Sequence, residues 1–181
     1  MENSSENRID FPNLLLIAGN GRNVGKTWLA CRIIEKLSQN HKVTAIKISA
    51  HFHAVDEDSI VIQNNRFIIC SENGINTKDS SLMLQAGAEK VYFIMASPKY
   101  LNEAFHFLKD DLINKIVVCE SGGLIEIINP GLFLFVMNDG TQIQKPHLLH
   151  HSPIIIKNSN NRFDFDISRI SVSKGIFTLD V

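Results

Sequence analysis

The sequence predicts an α/β fold built on a mainly parallel sheet, with helices on both faces and a C-terminal β-hairpin. Short apolar runs alternate with segments of helical periodicity between residues 13 and 136. This alternation is typical of parallel strands joined by right-handed crossover helices. A glycine-rich turn joins the first strand to the first helix. After residue 138 short segments alternate apolar and polar residues, which favours a hairpin with one solvated face.

The individual elements follow from periodicity and from turn residues. Strands are predicted where apolar and β-branched residues cluster, over residues 13–18, 42–48, 90–95, 115–119, 131–136 and 154–157. Helices are predicted where apolar residues recur at helical spacing, over residues 26–38, 79–88 and 99–108. Two hairpins are predicted, one from runs 59–62 and 66–70 and one from runs 162–167 and 175–181.

Length and composition favour a single domain, 1–181, with residues 1–10 as a loose tail. The chain has 181 residues, of which 44% are hydrophobic and 20% charged, as in a soluble globular protein with a real core. The net charge of −1 gives no basic field for nucleic acid, and no apolar run is long enough for a membrane span. The polar N-terminus lacks the apolar core of a signal peptide, so we expect a cytoplasmic protein.

The cysteines agree with that compartment. Cys31, Cys70 and Cys119 are odd in number, far apart and set in apolar surroundings. We expect buried free thiols in a reducing cytoplasm rather than catalytic or metal-binding residues.

The glycine-rich loop, residues 19–27, is the main functional signal. It follows the apolar run 14–18, precedes a predicted helix and ends in Gly-Lys-Thr. In such a strand–loop–helix unit backbone N–H groups surround phosphate oxygens, the lysine reaches the terminal phosphates and the threonine hydroxyl ligates Mg²⁺. The sequence therefore predicts a three-layer P-loop NTPase fold whose nucleotide-binding residues are Gly19, Asn20, Gly21, Arg22, Asn23, Val24, Gly25, Lys26 and Thr27.

The spacing of this loop departs from the usual pattern. The first glycine normally stands five residues before the second, but that position holds Asn20 and the glycine lies one residue earlier, at Gly19. Gly19, Gly21 and Gly25 still supply the flexible backbone that an anion site needs. The alternative is a glycine-rich turn with an incidental Lys-Thr.

Two strand ends supply further candidates at the same sheet edge. Glu120 ends the buried run 115–119, where an acid can bind Mg²⁺ directly or through water. Lys47 ends the second strand, which we expect beside the first, and could neutralise phosphate or a substrate anion. Because ligands bind at the carboxyl ends of parallel strands, both would face the glycine-rich loop. The alternative for each is a solvent-facing charge at a strand end.

Two groups of histidines remain open. His51 and His53 lie with Asp56 and Asp58 in one loop, which could bind a metal, hold a substrate, position water or simply be a solvated polar loop. Their spacing matches no defined zinc site. The second group, His147, His150 and His151, is interpreted as a surface turn.

Three patches together resemble the molybdopterin-guanine dinucleotide biosynthesis adaptor family (MobB). They are the stretch from Leu16 to Thr27, the stretch 44–47 with the following His51-Phe52-His53, and the run Lys-Asp-Ser-Ser-Leu-Met-Leu-Gln-Ala-Gly-Ala over residues 78–88. The strand ending in Glu120-Ser121-Gly122 lies where that family has a Glu-Gly pair. The resemblance covers residues 14–123, about two thirds of the chain.

The resemblance implies a GTP-binding protein that requires Mg²⁺, hydrolyses GTP weakly, forms a homodimer and assists a molybdenum cofactor nucleotidyltransferase. By matching positions, Lys26 and Thr27 would bind phosphate and Mg²⁺, and Lys47 would line the same site. The catalytic residues would be Lys26, Asp79 and Glu120, and the metal ligands Thr27 and Glu120.

Other functions remain open. The chain also resembles dethiobiotin synthetase, an ATP-dependent ligase, in Val24 to Thr27, in Lys47 and in Glu120-Ser121-Gly122-Gly123. A third possibility is a non-enzymatic scaffold that a nucleotide switches. No Asn-Lys-x-Asp guanine motif occurs, so the choice between GTP and ATP is open.

Overall fold

A nine-stranded mixed sheet forms the centre of the computed structural model, which describes residues 8–74 and 78–180. In chain order its strands are β1 (Ile9–Gly19), β2 (Val43–Ser49), β3 (Ile60–Gln63), β4 (Phe67–Ser71), β5 (Lys90–Ala96), β6 (Ile116–Glu120), β7 (Ile128–Asn138), β8 (Ile154–Ser159) and β9 (Arg162–Phe163). Their spatial order is β3-β4-β5-β2-β6-β1-β7-β8-β9. The six strands from β5 to β8 are parallel, whereas β4, β3 and β9 add antiparallel edges.

Helices cover both faces of this sheet. They are α1 (Lys26–Ser38), α2 (Asp79–Gln85) and α3 (Leu101–Leu112), joined by short 3₁₀ helices at Glu57–Ser59, Pro98–Tyr100, Leu124–Glu126, Pro146–His151 and Ile167–Arg169. The apolar sides of α1 and α2 pack in one buried cluster, and that of α3 packs in the other. Strands point alternate residues to opposite faces, so neighbours such as Leu14 and Leu15 enter different clusters. The predicted α/β class, its parallel sheet and its helical layers are confirmed.

The C-terminal hairpin is present, but its strands differ from the prediction. Strands β10 (Ile170–Ser173) and β11 (Ile176–Leu179) form a separate antiparallel pair. The run 162–167 was the wrong partner, because Arg162 and Phe163 pair back onto β8 instead. Two tight turns explain the difference, since residues 160–161 and 174–175 all have positive φ. Two consecutive residues of this kind connect strands directly, which makes two short hairpins where the sequence pattern indicated one wide one.

Element ends also differ in detail. Strand β1 begins at Ile9 and pairs with β7 from that residue, so the predicted loose tail is too long at its C-terminal end. Residues 1–7 lie outside the described part. Helix α2 ends at Gln85 rather than residue 88, where Gly87 has a φ of 102°. The hairpin predicted from runs 59–62 and 66–70 is confirmed as β3 and β4.

Burial of the thiols largely follows the prediction. Cys70 and Cys119 are buried and free, whereas Cys31 is free but only half-buried. Burial raises the pKa of all three thiols, that of Cys31 to about 11, so they are protonated near neutral pH. Within the described ranges, every helix is too short or too polar to cross a membrane.

The register of the central strands brings the site together. Glu120 at the end of β6 is opposite Ile17 of β1 on one side and Lys47 of β2 on the other. Its neighbour β1 runs directly into the glycine-rich loop. The carboxyl ends of β1, β2 and β6 therefore meet at one edge of the sheet.

Candidate functional site

The glycine-rich loop has a backbone that only small or flexible residues tolerate at two points. Gly25, which precedes α1, has a φ of 94°, and Asn23 has a φ of 56°. A Cβ on Gly25 would lie 2.5 Å from Nδ2 of Asn158. At Gly19 a Cβ would lie 2.8 Å from the side chains of both Val24 and Lys26. The loop is therefore wound tightly against its own side chains and against β8.

Asn20, where the usual pattern has glycine, braces this loop from below. Its side chain is buried, with 3% exposed. Its Nδ2 donates to the carbonyl oxygen of Gln142 at 2.7 Å, and the backbone N–H of Gln144 donates to its Oδ1 at 2.6 Å. The segment after β7 is thus tied to the first residues of the loop, a role that a glycine could not fill.

Asn158 at the end of β8 braces the other half of the loop. Its Nδ2 donates to the carbonyl oxygen of Val24 at 3.0 Å. This bond turns the Val24 carbonyl towards β8. Its Oδ1 is buried and, among the described residues, accepts no hydrogen bond.

Lys26 lies at the first position of α1 and folds back over the loop. Its Nζ donates to the carbonyl oxygen of Gly21 at 2.7 Å. Burial lowers the pKa of this lysine, the charge of Glu120 opposes that effect, and the positive charge of Lys47 adds to it. Within residues 8–74 and 78–180 its ammonium has no carboxylate in ion-pairing contact.

Glu120 is the centre of a polar cluster that contains three of the other predicted site residues. We call Glu120, Lys47, Thr27 and Asp79 the Glu120 cluster. The Thr27 hydroxyl donates to Oε2 of Glu120 at 2.8 Å, and Nζ of Lys47 lies 2.5 Å from Oε1. The same Nζ lies 2.7 Å from Oδ2 of Asp79, at the start of α2. One buried carboxylate therefore joins the loop, β2 and β6, and Lys47 extends the contact to α2.

Burial of the Glu120 cluster imposes a desolvation cost on its charged side chains. Only 3% of the Glu120 side chain and 16% of the Lys47 side chain are exposed. Burial alone would lower the pKa of Lys47, but the carboxylates of Glu120 and Asp79 outweigh it and raise that pKa above its ordinary value. Lys47 is therefore charged near neutral pH, and Glu120 needs partners to remain in the interior.

The cluster opens into a cavity of about 970 Å³ at the carboxyl edge of the sheet. Eight residues predicted from the sequence line it: Arg22, Asn23, Gly25, Lys26, Thr27, Lys47, Asp79 and Glu120. Four predicted loop residues are absent from its lining: Gly19, Asn20, Gly21 and Val24. Those four residues belong to the loop but do not form part of the cavity wall.

The histidine loop borders the same cavity without forming a metal centre. His51 Nε2 lies 3.3 Å from a guanidinium nitrogen of Arg22, and the His53 ring stacks on Phe93 at 6.5 Å between centroids. Asp56 caps the short helix that follows by accepting from the N–H of Asp58. In the described part of the chain, no group of three or more His, Cys, Asp or Glu residues could hold a metal ion. The two histidines therefore act as walls of the cavity.

The other histidine group lies away from this site. His151 Nδ1 lies 2.9 Å from a guanidinium nitrogen of Arg8, and its Nε2 lies 3.5 Å from Oε1 of Glu126. These contacts join the 3₁₀ helix Pro146–His151 to the residue before β1 and to the 3₁₀ helix Leu124–Glu126. The group is partly a packing element rather than only a surface turn.

Sequence reasoning missed the braces of the loop. Asn158 and the carbonyl of Gln142 contact it from more than a hundred residues away along the chain. No spacing rule links such positions. The only available signal was the glycine missing at Asn20, which a buried brace explains.

No protein-family model, curated protein or solved structure matches this chain.

Proposed function

We propose that the chain binds a nucleoside triphosphate with Mg²⁺ at the glycine-rich loop, as a P-loop nucleotide-binding domain, and hydrolyses it slowly. The observation that carries the proposal is the meeting of Thr27 and Lys47 on the buried carboxylate of Glu120, directly beside that loop. A buried acid held by a hydroxyl and an ammonium is costly as a purely structural device. In a site for metal and phosphate, by contrast, the carboxylate, the hydroxyl and the ammonium each have a ligand to bind.

The loop suits the phosphate groups. Its left-handed turns at Asn23 and Gly25 are the backbone geometry in which successive N–H groups form an anion-binding nest. The N-terminus of α1, a helix of 13 residues, adds its positive end to the same place. Lys26 bonds only a backbone carbonyl among the described residues, so its ammonium can transfer to a phosphate without breaking an ion pair.

The donor set suits Mg²⁺. Thr27 Oγ1 and Glu120 Oε2 are 2.8 Å apart, and both are the hard oxygens that this ion prefers. Few protein ligands are needed, since phosphates and water complete the shell. When bound, Mg²⁺ supplies positive charge to the phosphate oxygens.

Lys47 and Asp79 have the two remaining roles, which are neutralising phosphate charge and orienting water. Lys47 is held charged between two acids and can neutralise a terminal phosphate. Asp79 stands at the mouth of the site with 47% of its side chain exposed. From there it can orient a water molecule for hydrolysis, directly or through Lys47.

The resemblance to the MobB family extends this proposal to a biological role. On that basis the chain is a cytoplasmic, homodimeric GTP-binding adaptor for a molybdenum cofactor nucleotidyltransferase. Support comes from the stretch 78–88, because its Asp79 contacts Lys47 in the cavity. The two residues that precede it, 76–77, lie outside the described residues.

One feature favours an ATP-dependent ligase related to dethiobiotin synthetase as the second candidate. The cavity continues beyond Lys47 to Glu72, Phe93 and His53. Its size, about 970 Å³, is at the upper end for small-molecule sites. A second small substrate would have space next to the terminal phosphate.

Thermal melts test the proposal. With Mg²⁺ and GTP or ATP at about a hundred times its dissociation constant, the free energy of unfolding should rise by roughly 2.7 kcal/mol. A preference for GTP with slow hydrolysis favours the adaptor. A preference for ATP with turnover of a small acceptor favours the ligase. An unchanged melting temperature with both nucleotides contradicts the nucleotide site itself.

A further inference from the structure

Lys145 belongs to a segment that contacts the glycine-rich loop although the two are far apart in the sequence, and it lies outside the lining of the cavity. The segment 139–145 leaves β7 and is tied to the loop by the two hydrogen bonds of Asn20, to Gln142 and Gln144. The Gln144 side chain also lies close, with Oε1 3.6 Å from the position of a Cβ on Gly21. Lys145 is the next residue, so the same brace that shapes the loop fixes the start of this side chain.

The ammonium of Lys145 reaches the end of β6. Its Nζ lies 3.8 Å from the position of a Cβ on Gly122, two residues after Glu120. Its charge is also felt at the loop. Burial is the main cause of the lowered pKa of Lys26, and the charge of Lys145 adds to it. Two ammonium groups therefore repel each other near the loop.

Lys145 differs from Lys47 in its partners. Lys47 contacts two carboxylates, whereas Lys145 is half-buried and forms neither an ion pair nor a side-chain hydrogen bond with any described residue. A partly desolvated charge without a partner is unfavourable. An anion bound near Lys26 and Lys145 would offset both the repulsion between the two ammonium groups and the free-energy cost of their partial desolvation.

We propose that Lys145 is a further phosphate-binding residue, which contacts the terminal phosphate of a bound nucleoside triphosphate together with Lys26. The inference rests on the proposed nucleotide function. The terminal phosphate is the group concerned because Lys145 stands beside the end of β6, where Glu120 would hold the metal of the terminal phosphates. A cation supplied from the same chain would stabilise the charge of that phosphate during hydrolysis. It also makes the site prefer triphosphates to diphosphates.

Isothermal titration of four proteins tests this inference: wild type, Lys145→Met, Lys145→Arg and, as a matched control, Lys42→Met. Lys42 is also a lysine but precedes β2, at the opposite edge of the sheet, where it pairs with Glu89. Each protein is titrated with Mg²⁺ and GTP, GDP, ATP or ADP. For Lys145→Met, the preferred triphosphate should bind about tenfold more weakly while its diphosphate changes by less than about twofold. Lys145→Arg and Lys42→Met should bind as wild type does.

A thermal melt without nucleotide separates binding from folding. Lys145→Met should melt no lower than wild type, because the ammonium has no partner to lose among residues 8–74 and 78–180. Equal binding of triphosphate by wild type and Lys145→Met overturns the inference, and so does an equal loss for di- and triphosphate. Those results leave the nucleotide site standing. Wild-type protein that binds none of the four nucleotides overturns the proposed function and this inference together.

Discussion

Two acid–lysine clusters lie at opposite edges of the same sheet and differ chiefly in burial. The Glu120 cluster stands at the carboxyl ends of β1, β2 and β6. The other, which we call the Asp111 cluster, consists of Asp111, Lys115, Lys90 and Tyr92 at the amino ends of β5 and β6. Only 3% of the Glu120 side chain is exposed, against 42% of the Asp111 side chain.

The Asp111 cluster has a sufficient structural explanation. Lys115 Nζ lies 2.8 Å from Oδ1 of Asp111, the Tyr92 hydroxyl donates to Oδ2 at 2.6 Å, and Lys90 lies 3.7 Å away. These bonds, with that to Lys115 the strongest, lower the pKa of Asp111 to about 2. The three charged side chains remain in contact with water, with 39–42% exposed, so each ion pair is inexpensive and contributes little.

The Glu120 cluster has no such explanation. A carboxylate with only 3% of its side chain exposed loses its hydration, and a hydrophobic replacement of equal volume is often as stable or more so. The same chemical groups can therefore have a purely structural role at one edge of a sheet and indicate a functional site at the other. Burial beside a glycine-rich loop, rather than ion pairing itself, carries the functional inference.

The largest expected effect is that of Glu120→Gln, with Asp111→Asn as its matched control. Loss of the Glu120 charge leaves Lys47 buried with Asp79 alone, and breaking such a buried pair costs about 3 kcal/mol in the free energy of unfolding. Asp111→Asn should cost less than about 1 kcal/mol. Chemical denaturation at neutral pH measures both. Equal losses would show that burial does not distinguish the two clusters.

The same variant also tests the proposed metal site. Glu120→Gln should slow hydrolysis by about a hundredfold or more and should weaken nucleotide binding with Mg²⁺ more than binding without it. Titration with and without the metal, alongside single-turnover hydrolysis, gives both quantities. If Glu120→Gln equals wild type in each assay, Glu120 has no part in metal binding or hydrolysis.

The next effect is the loss of ligand stabilisation in Lys26→Ala. The variant should lose the roughly 2.7 kcal/mol that saturating nucleotide adds, because it lacks the charge-assisted contact to the terminal phosphates. Its melting temperature without nucleotide should stay near that of wild type, since among the described residues the ammonium bonds only the Gly21 carbonyl. Full nucleotide stabilisation in this variant would mean that the glycine-rich loop is not the phosphate site.

Asp79→Asn should have a smaller effect. Asp79 shares Lys47 with Glu120, but its side chain is half-exposed. An ion pair with one exposed partner contributes about 1 kcal/mol of stabilisation. Single-turnover hydrolysis should slow by about fivefold, with nucleotide affinity nearly unchanged. A loss of affinity as large as that of Glu120→Gln would instead make Asp79 a direct ligand of the metal.

The smallest effect is the pH dependence of the Asp111 cluster. Because the pKa of Asp111 is about 2 in the folded chain, below its ordinary value, the ionised form stabilises the fold above about pH 4. That contribution fades as the pH falls towards 2. The melting difference between wild type and Asp111→Asn should therefore shrink on acidification. A difference that grows instead would contradict the sign of this pKa shift.

Local patterns predicted much of the fold and part of the site. Periodicity located the central strands and α1, and the glycine-rich loop identified which sheet edge to inspect, because both are properties of neighbouring residues. The sequence placed Glu120 and Lys47 at the same sheet edge but did not predict that they pair. The second strand was expected beside the first, whereas β6 lies between them and brings Glu120 next to Lys47.

The rest depended on contacts that sequence cannot show. Asn20 and Asn158 brace the loop through partners far along the chain, and Lys145, in the segment that Asn20 holds, reaches Gly122 after β6. The C-terminal hairpin was misplaced because alternation does not reveal which residues adopt positive φ. Residues 174–175 do so and close the turn between β10 and β11.

The most direct test of the central claim is isothermal titration of the wild-type chain with GTP and ATP, each with Mg²⁺ and with the metal chelated. The account predicts one binding site per chain for at least one nucleotide, with tighter binding when Mg²⁺ is present. Absence of binding by both nucleotides under both conditions would contradict it, and the buried Glu120 cluster would then need another explanation.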